Sequence, residues 1–98
     1  MRPSHELPPS LYRYAPISSV IETDLPGELI LLDSASQQMF SLNETGRAIW
    51  RALPNKTVAG VVETLQERFD VPEEIASLEV QTLVKTLLDA GLIFPAND

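Results

Sequence analysis

Residues 28–51, ELILLDSASQQMFSLNETGRAIWR, decide the fold. Leu29, Ile30, Leu31 and Leu32 form a continuous apolar run, the pattern of a strand covered on both faces. Asp33-Ser34-Ala35-Ser36 supplies turn formers, and Met39, Phe40 and Leu42 make a second short strand beyond them. Asn43 stands where a helix N-cap belongs: its side-chain oxygen can accept a free N–H of the first turn. Glu44 adds negative charge at the positive end of the helix dipole. Ala48, Ile49, Trp50 and Leu53 then fall on the buried side of the helix, and Trp50 is read as a structural residue.

Working outward, Ile17 to Asp24 reads as the first secure strand, and Pro26-Gly27 is a turn dipeptide that makes a hairpin with the Leu29–Leu32 strand. The third strand, Gln38 to Leu42, returns antiparallel, because the connections are too short for parallel crossovers. A three-stranded antiparallel sheet follows, with a fourth strand if Leu11 to Tyr14 joins. Residues 1–16 hold four of the eight prolines, so Met1 to Ser10 reads as a loose tail and Leu11 to Tyr14 as an edge strand or an arm.

Downstream the period changes. Thr57 is placed to cap a helix carrying Val58, Val61, Val62, Leu65 and Phe69 on one face. Pro72, near a first helical position and followed by Glu73 and Glu74, starts a third helix, and Gly91 closes it as a left-handed cap. Ala76, Val80, Leu83 and Leu87 form its main stripe. Val84, Leu88, Ile75 and Leu78 widen that stripe beyond what one buried face requires, leaving a central helix or a surface for a partner.

Ninety-eight residues suit one domain, and zero cysteines remove disulfides and thiolate metal sites. No apolar run is long enough to cross a membrane, and the first residues lack a signal-peptide plan, so a cytoplasmic protein is expected. Seven basic against fourteen acidic residues, a formal charge of -7, argue against a nucleic-acid partner. Arg47 and Arg51, one turn apart, read as a solvated face. The single histidine, His5, lies in the proline-rich tail, far from any nucleophile, and the four scattered glycines form no phosphate loop. Nothing points to catalysis, a cofactor or a metal. The residues read as a binding module, with a winged helix-turn-helix transcription regulator as the alternative.

The ordered set Leu31-Leu32-Asp33, Phe40, Leu42-Asn43, Thr45-Gly46 and Ile49-Trp50, then Leu83, Leu87 and Gly91-Leu92-Ile93, resembles the PqqD-like family of leader-peptide recognition elements. The resemblance runs from about Val20 to Phe94. It implies an α+β, winged helix-turn-helix-like fold: a three-stranded antiparallel sheet followed by three helices. On this reading residues 1–16 are a tail or arm and residues 17–95 the peptide-binding domain. The LN-x-TG form is similar to the stand-alone leader-binding proteins of lasso-peptide clusters. The Pro-Glu pair of the PQQ protein is missing, Pro54-Asn55 replaces a usual glycine, and Glu79 stands where Asp is common. The implied partners are the leader segment of a ribosomally made precursor, a cysteine-protease-like leader peptidase and an ATP-dependent cyclase.

The resemblance implies that the leader adds as a strand to the edge of the third strand and packs on the third helix. The expected peptide-binding residues are Gln38, Met39, Phe40, Ser41 and Leu42 on the strand and Val80, Leu83, Val84 and Leu87 on the helix. Alternation sets Met39 and Ser41 against Gln38, Phe40 and Leu42, without saying which set faces the core. Val84→Asp is accordingly expected to weaken binding far more than Gln38→Ala.

Overall fold

The computed structural model describes residues 8–96; most of the tail expected at Met1 to Ser10, including His5, lies outside them. Five strands and three helices follow in the order β1 (Tyr14–Pro16), β2 (Val20–Leu25), β3 (Glu28–Asp33), β4 (Gln38–Asn43), α1 (Glu44–Ala52), α2 (Val58–Phe69), α3 (Glu73–Asp89) and β5 (Ile93–Pro95). Strands β2, β3 and β4 form the expected antiparallel sheet in that spatial order, followed by the three helices.

Local chemistry accounts for the boundaries. Gly27, at φ 78°, takes the left-handed position of the β2–β3 turn without a Cβ penalty. Asn43 is both the last residue of β4 and the cap of α1, its side chain accepting the Gly46 N–H at 2.8 Å. Thr57 caps α2 the same way, accepting the Gly60 N–H at 3.2 Å. Pro72 is the cap residue of α3 rather than its first helical residue. Gly91, at φ 74°, follows α3 in the left-handed form.

The run Leu29–Leu32 is covered on one face only. Leu29 and Leu31 are completely buried, whereas Ile30 and Leu32 are half-buried on the side opposite the helices. No layer of the described chain closes that side, so the expectation of two covered faces gives way to ordinary alternation. The same alternation runs through β4, where Met39 is 67% exposed and Leu42 buried, while β2 is exposed beyond Val20, Ile21 at 52%. Phe40 packs against the core, and this decides the orientation of the third strand that the sequence left open.

Leu11 to Tyr14 adds no fourth strand to this sheet. Pro9–Leu11 forms a short 3-10 turn, and Tyr14–Pro16 pairs with Ile93–Pro95 in a separate two-stranded sheet, with Tyr14 opposite Pro95. The Tyr12 carbonyl accepts the Val58 N–H at 2.9 Å, so this segment caps the start of α2, and Tyr14 is buried. Leu92 and Ile93 are buried too, whereas Phe94 beyond them is exposed.

Polar contacts at three places hold the sheet: Trp50 on Glu22, the turn at Asp33, and two arginines on Asp24. Trp50 is 3% exposed and its indole N–H donates to Glu22 at 2.9 Å, tying α1 to β2. Asp33 is buried at the β3–β4 turn; it accepts the Ser19 hydroxyl at 2.7 Å, the Ser36 hydroxyl at 2.8 Å and the Ala35 N–H at 3.1 Å. Those hydrogen bonds, from Ser19 foremost, hold its carboxyl below the usual range. Arg47 and Arg51 are not simply solvated. Both pair with Asp24 on β2, Arg47 at 3.1 Å, and Arg51 first and Arg47 second hold the Asp24 carboxyl low.

Trp50→Ala should cost about 3–5 kcal/mol of unfolding free energy, measured by denaturant titration. Trp50→Phe should cost less, about 1 kcal/mol for the lost hydrogen bond. Gln37, at φ 66° in the β3–β4 turn, is left-handed without being glycine; Gln37→Gly should raise stability by about 0.5–1 kcal/mol in the same assay. Asp33 has a folded pKa below its unfolded value, so its contribution is present above about pH 4 and lost as pH falls through the depressed folded value. Acid titration of Asp33→Asn should show a smaller loss of stability over that window than wild type.

Candidate functional site

With strand order β2-β3-β4, β4 pairs on one side only and its outer edge has no partner among the described residues. Such an edge presents a row of N–H and C=O groups able to template another strand. Beside it lies a groove of about 420 Å³ between the β4–α1 corner and α3. Ser41, Leu42, Asn43, Thr45, Gly46 and Ile49 line one wall, and Leu78, Glu79, Thr82, Leu83 and Thr86 line the other.

The β4–α1 corner builds the first wall. Because Asn43 ends the strand and caps the helix, no linker separates the open edge from the first turn of α1. Gly46 faces this corner; a Cβ there would stand 3.2 Å from the Leu42 Cβ, so glycine lets the turn sit close on the strand. Ser41 donates to Glu28 at 2.6 Å. The second wall is one flank of α3. Residues 75, 78, 79, 82, 83 and 86 share that flank at helical spacing, and Leu78 is 65% exposed. A large exposed leucine beside an apolar groove is the kind of surface that partners cover.

The expected site residues divide on this geometry. Ser41, Leu42 and Leu83 line the groove. Gln38, Met39 and Phe40 lie along β4 beyond it; Met39 points to the open face of the sheet and Phe40 packs against the core. Val80 and Leu87 are completely buried, support α3 from beneath and do not line the groove. Val84 is also a core residue, and its small exposed part faces Pro9, Tyr14 and Leu88 on the far side of α3. Of the α3 residues expected to form the pocket wall, only Leu83 lines this groove; the others on its α3 side are Leu78, Glu79, Thr82 and Thr86. Thr45, Gly46 and Ile49 also line the groove, and the signal for them was their position within the first two turns after Asn43. Among the described residues no group of three His, Asp or Glu side chains could hold a metal, and no helix is long and apolar enough to cross a membrane.

An open strand edge over a helix-walled apolar groove, on a winged helix-turn-helix-like α+β frame, defines the class. The chain belongs to the PqqD family: the model of the coenzyme PQQ synthesis protein D family matches residues 28–93, most of the chain. No curated protein sequence matches it. Among solved structures it is similar to TbiB1 in complex with the TbiA(beta) leader peptide, at 19% identity and a TM-score of 0.75, covering 85% of this chain and 98% of that one. It is also similar to lasso peptide synthetase B1 complexed with the leader peptide, at 23% identity and a TM-score of 0.76, covering 85% and 99%. At these identities the likeness shows the shared fold.

Val84→Asp should unfold the protein rather than edit its surface, costing about 3 kcal/mol or more by denaturant titration, because it buries an unpaired carboxylate. Thr82→Asp, on the exposed flank, should stay within about 0.5 kcal/mol of wild type.

Proposed function

We propose that this protein is a non-catalytic recognition module for the leader segment of a ribosomally made precursor peptide. In this reading it works in the cytoplasm of the producing cell and presents the bound precursor to a separate leader peptidase, and to a cyclase in a lasso-peptide pathway. The observation that carries the reading is the unpaired edge of β4 directly beside the groove walled by Leu42, Ile49, Leu78 and Leu83. Membership of the PqqD family and the leader-bound structures of similar fold support it.

The mechanism is strand addition. The leader lies along Gln38–Asn43, and its main chain supplies hydrogen bonds that tolerate almost any sequence. Its side chains alternate, so every second one enters the groove. Selectivity then rests on how well those side chains cover Leu78 and Leu83, because the strand edge itself does not discriminate. Burying exposed leucine on binding contributes about 25 cal/mol per Å² of apolar surface removed from water, less the cost of ordering an extended peptide. The polar residues Gln38 and Ser41 keep the empty edge soluble.

The test is titration of a fluorescein-labelled leader peptide, from a precursor encoded beside this protein's gene, into folded variants. Leu83→Asp should weaken binding by about tenfold or more, as loss of a central apolar contact does. Gln38→Ala should change it by less than about twofold, since main-chain pairing survives the change. Wild-type affinity in Leu83→Asp, with circular dichroism unchanged, would move the peptide site off this groove.

A further inference from the structure

The two open edges of the sheet carry opposite chemistry. At the β2 edge, Arg47 and Arg51 reach from α1 to Asp24, and Arg51 also lies 4.0 Å from Glu22. The other described cations with defined partners are equally committed: Lys56 to Thr64, Lys85 to Asp89, and Arg68 over the Phe69 ring. At the β4 edge no lysine or arginine among the described residues lines the groove. The one ionisable residue among its described lining is Glu79, exposed on the α3 rim. Among the described residues Glu79 has no ion pair. The whole chain carries a formal charge of -7, so nothing distant offsets this local acidity.

Glu79 stands between Leu78 and Leu83 on the groove side of α3. A long basic side chain fits that sequence of surfaces: its methylene stem can cover leucine while its charged head reaches the carboxylate at the rim. An acidic side chain in the same place would meet Glu79 with no lysine or arginine in the groove's described lining to relieve it.

We propose that the groove is charge-selective, taking peptides that present a lysine or arginine to Glu79 and rejecting those that present aspartate or glutamate there. The inference rests on the peptide-binding reading above and names the chemistry that reading leaves open. Glu79 is in this sense a further specificity-determining residue of the site: the leucines select for apolar cover, and Glu79 sorts the strands that provide it by charge.

A random library of fluorescein-labelled synthetic 12-residue peptides is selected on the protein at low salt. The tightest binder is then remade with Lys, Gln or Glu at each position in turn and titrated by anisotropy. At one position the Lys peptide should bind wild type about two- to fivefold tighter than the Gln peptide, the scale of one exposed ion pair. Glu79→Lys should reverse the order of Lys and Glu at that position, and raising the salt should flatten it. Glu67→Lys makes the same change of net charge on the exposed face of α2, and it should leave the positional order as in wild type. If Glu79→Lys ranks the three peptides as wild type does, or Glu67→Lys shifts the order as far, charge selection by Glu79 is wrong although the groove still binds. If the peptides bind Leu83→Asp as well as wild type, the groove reading fails and this inference fails with it.

Discussion

The geometry of this protein depends on one hydrogen bond, from the Gly46 N–H to the Asn43 side chain. It turns the last residue of a strand into the first restraint on a helix, so the sheet and α1 meet with no linker to absorb error. Leu42 faces the core on one side of that junction, and Ala48, Ile49 and Trp50 face it on the other. Once the corner is set, α1 can lean across to β2, where Trp50 and the two arginines find Glu22 and Asp24. The groove is the space left between this corner and the flank of α3. Structure and candidate site thus share one origin.

Much of this was legible in the chain because local chemistry fixed it. Asn43, Thr57, Gly27 and Gly91 each answer a backbone need that only a few residue types meet, and each stands where the pattern placed it. What the pattern could not supply was rotation. Apolar residues cover so much of α3 that several faces looked equally fit to be buried, and only packing against α2, α1 and β5 separates Val80, Val84 and Leu87 from Leu78 and Leu83. The same limit applied to Leu29–Leu32, where an unbroken apolar run hid the fact that one face has no cover. The pairing of Tyr14–Pro16 with Ile93–Pro95 joins the two ends of the domain, and strands so short and rich in proline give almost no periodic signal.

The charges are arranged with similar economy. Acid groups at the turn and at the β2 edge are answered by hydroxyls, an indole and two guanidiniums, so their negative charge does structural work. Glu79 is the contrast: an acid at the mouth of a groove with no partner among the described residues. The distribution separates the edge that organises the core from the edge available to another chain.

The small sheet of β1 and β5 has a consequence for how such a unit can be used. Position 14 lies directly across from position 95, so segments near the two ends of the described unit run side by side. A host chain could carry this module as an inserted or appended cassette, with its two connections spanning little more than the gap between paired strands. The architecture is therefore compatible with life as a separate protein or as one domain of a larger enzyme, with no redesign of the recognition surface.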